Sequence, residues 1–164
     1  MEAVLKIYSD IGDEGITPEF VSDWLDQNKE ATDITVRINS RGGEVTAGWA
    51  IHDLLVNSGK RIKTVGESKI YSIATIIFLA GTEREIFSNA DGLIHNPFIP
   101  PYTLEDQYGS EDLIRIAEAL KQEESKILDF YVSRTNCPVE KLAEYMKEDT
   151  KLSAQDMLDL GFAT

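Results

Sequence analysis

Apolar residues along the chain recur with two periods, and the switch between them marks the elements. Val4, Leu5, Ile7 and Tyr8 surround Lys6 and read as a first strand, Val4 to Tyr8. Ile34, Val36 and Ile38 alternate with Thr35 and Arg37, the period of two that puts one set of side chains on one face of a second strand. Between these strands, Asp10 to Gly15 is a polar loop, and Thr17 before Pro18 is the cap and first position of a helix. Phe20, Val21, Trp24 and Leu25 share one face of that helix. After Asn39-Ser40-Arg41-Gly42-Gly43 the spacing returns to helical from Thr46 to Asn57, through Ala47, Ala50, Ile51, Leu54 and Leu55.

Arg61 to Val65 predicts a third strand, Gly66 to Tyr71 a turn, and Ser72 to Ala80 an apolar helix ended by Gly81. Glu85 to Phe87 and Gly92 to His95 predict two short strands, after which Pro97, Pro100 and Pro101 forbid regular structure. Glu111 to Arg134 is the longest helical stretch. Its stripe of Leu113, Ile116, Ala117, Leu120, Ile127, Leu128 and Tyr131 is interrupted at Glu123-Glu124, so the helix is expected to project past the domain body. Pro138 opens a further helix with Leu142, Tyr145 and Met146 inward, and Ser153 with Asp156 is a capping pair for a last helix ended by Gly161. Strands alternating with helices predict an α/β layer fold, and no repeat or Gly/Ser linker divides residues 1–164 into more than one domain.

Composition narrows the function. Sixteen Lys and Arg against 29 Asp and Glu leave a net charge of −13, a surface that repels phosphate backbones, so neither nucleic acid nor an anionic membrane is an expected partner. The longest apolar run, Ile73 to Gly81, is about half of the ~18 residues that a bilayer span needs. The N-terminus lacks the basic start and small-residue cleavage site of a secretion signal, and a cytoplasmic location is expected. Cys137 alone permits no internal disulfide, and with only His52 and His95 beside it no metal centre or other cofactor is expected.

Three places break local regularity and could carry chemistry. The paired glycines Gly42-Gly43 leave N–H groups uncovered by side chains, able to hold a phosphate or a developing oxyanion, or they form only a tight turn. Ser72 lies where a turn feeds an apolar helix, near free N–H groups that favour an alkoxide; it is equally placed to be an N-cap. Gly66, the nearest glycine upstream, is too far away for the nucleophile elbow of α/β-hydrolases. His95 ends a strand beside an irregular segment, where it could face a cleft or serve as an ordinary hydrogen bonder. His52, in the middle of a helix, reads as a helix-surface or subunit-contact residue. Glu148 and Asp149 precede the cap Ser153, where an acid can orient a histidine or can simply be solvated.

Taken together, these places resemble one family. Ile38-Asn39-Ser40-Arg41-Gly42-Gly43-Glu44-Val45-Thr46-Ala47-Gly48 resembles the I-N-S-P-G-G-x-V-x-x-G signature of the ClpP-type serine peptidases. Ser72 precedes Ala80-Gly81 at the spacing of the family's nucleophile and its A-G pair. Ile94-His95-Asn96-Pro97 resembles the I-H-x-P around its histidine, and Glu148 to Ala154 resembles its C-terminal acid and L-[ST]-A run. Leu160-Gly161-Phe162-Ala163 is similar to the family's closing segment. His-Asn-Pro and Arg134-Thr135 bring the pattern nearest to the ClpP-like head maturation proteases of tailed phages and prophages. The sequence departs from the family at Arg41, in place of Pro, and at Ile70, Tyr71 and Ile73, where small residues are usual. Phe98-Ile99-Pro100-Pro101 replaces glycines, and two residues are inserted between Gly66 and Ser72.

The resemblance implies a ClpP/crotonase-like spiral of ββα units with a long projecting helix at about 111–134. It implies Ser72 as nucleophile, His95 as general base and acid, and Asp149 as the acid orienting His95, with Glu148 the competing acid. Gly43 and Ile73 N–H groups would form the oxyanion hole. Glu44 and Val45 on one side, and Asn96 and Phe98 on the other, would flank an extended substrate as added strands. The implied activity is a serine endopeptidase, acting on capsid, scaffold or portal proteins in the phage setting, and assembled with itself as a homo-heptamer or stacked double ring. The first strand begins almost at Met1, so coupling to an unfoldase ATPase is not expected. Two other readings compete. A catalytically silent ring-forming structural protein would draw on the bulk of Ile70, Tyr71 and Ile73. A crotonase-like acyl-CoA enzyme needs catalytic carboxylates and has no role for a Ser-His pair.

Overall fold

The strands of the described residues assemble into one six-stranded sheet. The computed structural model describes residues 1–100 and 107–164; Pro101, expected to keep its segment irregular, lies outside the described residues. The strands are β1 (Glu2–Ile7), β2 (Asp33–Ser40), β3 (Arg61–Tyr71), β4 (Glu83–Ile86), β5 (Asp91–Ile94) and β6 (Thr150–Ser153). Their order is β1-β2-β3-β5-β6, with β4 pairing β3 outside that path. All pairs are parallel except β5–β6. The alternation along β2 is realised, with Ile34, Val36 and Ile38 buried and Asp33, Thr35 and Arg37 only partly so.

Helices connect the successive parallel strands from β1 to β4, as crossover connections require. The helices are α1 (Pro18–Gln27), α2 (Val45–Val56), α3 (Ala74–Phe78), α4 (Ser110–Arg134), α5 (Val139–Lys147) and α6 (Ala154–Asp159). The Thr17 side chain caps α1 and the Ser153 side chain caps α6, as their sequences predict. Every residue of α3 is buried, which accounts for a helix that is apolar all round. Along α4 the two halves differ: Leu113 and Ile114 are exposed, whereas Ile127 and Tyr131 sit in the core.

Three expectations are corrected. Residues 66–71 are not a turn but the second half of β3. The strand changes partner there: Lys63 to Gly66 pair with β4, and Lys69 to Tyr71 pair with β5. Against β2 the register jumps between Ile38↔Gly66 and Ser40↔Ile70, so two extra β3 residues are accommodated in an irregularity. Those residues read in the sequence as an insertion before Ser72. The helix expected from Ser72 to Ala80 is shorter, Ala74–Phe78, and Ser72 lies outside it. Finally, Thr150–Ser153 forms a strand that four residues of mixed polarity do not announce. It exists because β5 offers it an antiparallel edge, with Ile94 opposite Thr150 and Asp91 opposite Ser153.

Candidate active site

The site lies where β3 leaves the sheet. Tyr71 is the last strand residue, and Ser72 turns the chain with φ 55°, a left-handed conformation that non-glycine residues seldom adopt. Such strain persists only where surroundings impose it. Here the Ser72 N–H donates to the Leu93 carbonyl of β5 at 2.8 Å. The Ser72 carbonyl accepts from the Thr75 N–H at 2.9 Å and from Thr75 Oγ1 at 2.6 Å. Ser72 is therefore an elbow between a strand and a buried helical turn rather than an N-cap.

The glycine turn packs onto this elbow. Gly42 has φ 94° and Gly43 φ 149°. A Cβ on Gly42 would stand 2.7 Å from Ser72 Cβ, and one on Gly43 would stand 2.0 Å from the Ile11 carbonyl oxygen. Only glycine fits both positions. The Ile11 N–H donates to the Gly42 carbonyl at 2.8 Å, and the Glu44 N–H donates to the Ile11 carbonyl at 2.9 Å. These bonds hold the loop around Ile11, a buried residue in a stretch whose polarity suggested only an open loop. The N–H groups of Gly43 and Ile73 have no acceptor among the described residues.

His95 follows β5 and meets Ser72 from the other side. Ser72 Oγ and His95 Nε2 are 2.7 Å apart, a full hydrogen bond. Burial pushes the His95 imidazole below its ordinary pKa; the nearby Asp149 carboxylate and a backbone hydrogen bond with Asn96 oppose that shift without reversing it. His95 is consequently neutral near pH 7, the form that accepts a proton. Asp149 Oδ1 is 4.0 Å from His95 Nδ1, and its side chain is 74% exposed against 13% for the histidine. Among the described residues, Asp149 is the only other non-glycine residue with positive φ, at 51°. The two residues of unusual backbone thus flank the same imidazole.

The expected flanking residues are placed unevenly. Val45 lines a small cavity of about 20 Å³ with Ile76, Pro97, Ile127 and Tyr131, beside Ser72 and His95. Phe98 is exposed, its ring 5.3 Å from that of His95. Glu44 is turned away: its side chain accepts from the Asp13 N–H at 3.3 Å, and its carbonyl accepts from the Gly48 N–H. Asn96 has its N–H bonded to the Met146 carbonyl at 2.9 Å. Neither Glu44 nor Asn96 therefore offers its backbone N–H to an added strand, because each already serves the chain's own fold.

The bulky residues around Ser72 are accommodated by the fold. Ile70 is fully buried, close to Gly66, and Ile73 fills the notch left by Gly48, where a Cβ would stand 2.1 Å from Ile73 Cγ1. Tyr71 donates its hydroxyl to Asp91 at 2.8 Å. Arg41 points outward and pairs with Asp10 at 3.0 Å. His52 is less exposed than expected, packed between Trp49 and Phe130 and bonded to Asp53. Among the described residues no group of three His, Cys, Asp or Glu is arranged to hold a metal, and no helix is long and apolar enough to cross a membrane. The hydroxyl pair of Thr75 and Tyr131 has no signature along the sequence. Tyr131 looked like one more core residue, and nothing along the chain brings it next to residue 75.

Known proteins share the sequence and fold of this chain. A sequence profile of the Clp protease family matches residues 4–164. An ATP-dependent Clp protease proteolytic subunit of Arabis hirsuta is 35% identical over 138 residues, 81% of this chain and 67% of that protein. An ATP-dependent Clp protease proteolytic subunit 4 of Streptomyces avermitilis is 34% identical over 131 residues, 79% of this chain; the match spans only 56% of that protein. A solved ClpP1 mutant from Listeria monocytogenes superposes with a TM-score of 0.81 at 27% identity, over 98% of this chain and 88% of the other. With its fold and nearly its whole length matched, the chain belongs to the Clp protease family.

Proposed function

We propose that the protein is a serine endopeptidase that cleaves peptide bonds through an acyl-enzyme. The observation that carries this reading is the 2.7 Å hydrogen bond between Ser72 Oγ and His95 Nε2. Ser72 Oγ attacks the scissile carbonyl carbon while His95 Nε2 takes its proton. The carbonyl oxygen becomes an oxyanion, received by the Gly43 and Ile73 N–H groups. His95 then returns the proton to the leaving amine, the C–N bond breaks, and Ser72 holds the acyl group as an ester. Water, deprotonated by the same imidazole, hydrolyses that ester and restores the hydroxyl. Asp149 favours the imidazolium formed on the way.

The substrate side follows from space. A cavity of about 20 Å³ beside Ser72 has room for little more than a water or a methyl group, so a small side chain such as Ala before the cut is preferred. Val45 and Phe98 border the peptide. The phage-like motifs support a role in capsid maturation, with capsid, scaffold or portal protein as substrate in the host cytoplasm, and self-assembly as a heptameric ring or a stacked pair of rings. The exposed apolar residues Leu113 and Ile114 on α4 support assembly. A crotonase-like activity would leave the Ser72–His95 pair without a task.

Fluorogenic peptides differing only at the residue before the cut test the reading. Turnover of the Ala peptide, weaker turnover of the Phe peptide and none of either by Ser72→Ala are expected. Folded, assembled native protein that cleaves neither peptide would favour the silent scaffold.

A further inference from the structure

Two buried hydroxyls beside the elbow have no role in the steps above. Thr75 and Tyr131 have 0% and 2% of their surface exposed. Burial of an unpaired hydroxyl is costly, so each requires a partner. They find one another across 56 residues of sequence, with Thr75 Oγ1 and Tyr131 OH 2.6 Å apart. Thr75 Oγ1 is also 2.6 Å from the Ser72 carbonyl oxygen. That oxygen can only accept, which fixes the direction of the chain: Tyr131 O–H donates to Thr75, and Thr75 O–H donates to Ser72 C=O. A bond from a threonine to the carbonyl one turn back is ordinary in helices; the tyrosine donor behind it is not.

The Ser72 carbonyl shares one planar peptide with the Ile73 N–H. In a trans peptide the two point in opposite directions, so fixing one aims the other. We propose that Thr75 and Tyr131 are positioning residues that hold the Ser72–Ile73 peptide so that its N–H faces the developing oxyanion. The inference rests on the peptidase reading above. The Ser72 carbonyl is held by three donors in sequence, the Thr75 N–H, the Thr75 hydroxyl and, through it, the Tyr131 hydroxyl. Donation to a carbonyl also polarises its amide and strengthens the N–H as a donor. Tyr131 lines the same small cavity as Ser72, Ile73 and His95, so the relay sits against the reacting atoms without touching them. The relay also helps impose the left-handed φ of Ser72, which the residue would not adopt unaided.

The test uses the full chain with Tyr131→Phe, Thr75→Val and Thr75→Ser. The first two remove the relay at roughly constant shape, and the third keeps the hydroxyl. Tyr131→Phe and Thr75→Val are expected to lower kcat roughly tenfold with KM nearly unchanged, less than the 10²–10³ that loss of an oxyanion donor itself costs. Thr75→Ser should retain most of kcat. The ester carbonyl stretch of a slowly deacylating acyl-enzyme reads the same interaction directly and should move to higher frequency in Tyr131→Phe, as the oxyanion donor weakens. A fall in melting temperature with kcat and the stretch unmoved would make the pair merely structural and overturn the inference. Should Tyr131→Phe not fold, Thr75→Val against Thr75→Ser decides alone, and equal rates would overturn it. An active native enzyme with unmoved variants sinks this inference only; native protein that never acylates sinks the peptidase reading and this inference together.

Discussion

The two sides of His95 are built differently. Toward Ser72 the contact is 2.7 Å, and the serine is gripped by β5, the glycine turn and a fully buried α3. Toward Asp149 the separation is 4.0 Å, and the carboxylate belongs to an exposed turn between α5 and β6. The first side is held by the core of the fold and the second by a surface strand of four residues. Ser72 and His95 are therefore held in place together, whereas Asp149 is a screened carboxylate whose influence depends on how closely that turn approaches.

The sharpest way to break this contrast is to remove its rigid side. Ser72→Ala and His95→Ala should each abolish peptide turnover, a fall of about 10⁴-fold or more, while the fold, followed by circular dichroism, persists. His52→Ala should leave turnover near native, since His52 packs against Trp49 and Phe130 away from Ser72.

Next in size is the glycine turn. Gly43→Ala puts a methyl group 2.0 Å from the Ile11 carbonyl, so the loop must move and carry the Gly43 N–H with it. Loss of one such donor is worth about 10²–10³ in kcat. A lower melting temperature should accompany it.

The loose side should yield less. Asp149→Asn is expected to cost roughly 10–10²-fold in kcat, well below the ~10⁴ of a buried triad acid. Glu148→Gln should change little, and equal effects of the two would remove Asp149 from the site.

The smallest effect is on pH. Only neutral His95 accepts the serine proton, so kcat/KM should fall as pH drops through the His95 pKa. Burial holds that pKa below the usual histidine value, so the acidic limb should lie below about pH 6.5, with a plateau at neutrality. Asp149→Asn removes a group that pulls the pKa up and should shift the limb to still lower pH.

What could be read along the chain follows the same division. Features set by local pattern are legible: the alternation of β2, the caps of α1 and α6, and the ordered motifs that single out Ser72, His95 and Asp149, which the fold brings near one another. Features set by contacts across the sheet were not. Residues 66–71 have no strand signature of their own and extend because β5 replaces β4 as their partner. β6 exists only against β5. The engaged backbone of Glu44 follows from Ile11, more than thirty residues away along the chain, so its motif could not reveal that no added strand can pair through its N–H. The bulk of Ile70 and Ile73 packs against Gly66 and Gly48, partners that no local pattern in the sequence reveals.

On the peptidase reading, Ser72 gives its proton to His95 and becomes the attacking atom. Covalent labelling by a fluorophosphonate, with the adduct located by peptide mass spectrometry, tests it most directly. A single phosphonyl adduct on Ser72, formed rapidly at neutral pH and lost in His95→Ala, is expected. A folded, assembled native protein that stays unlabelled, or that carries its adduct on a different serine, would contradict it.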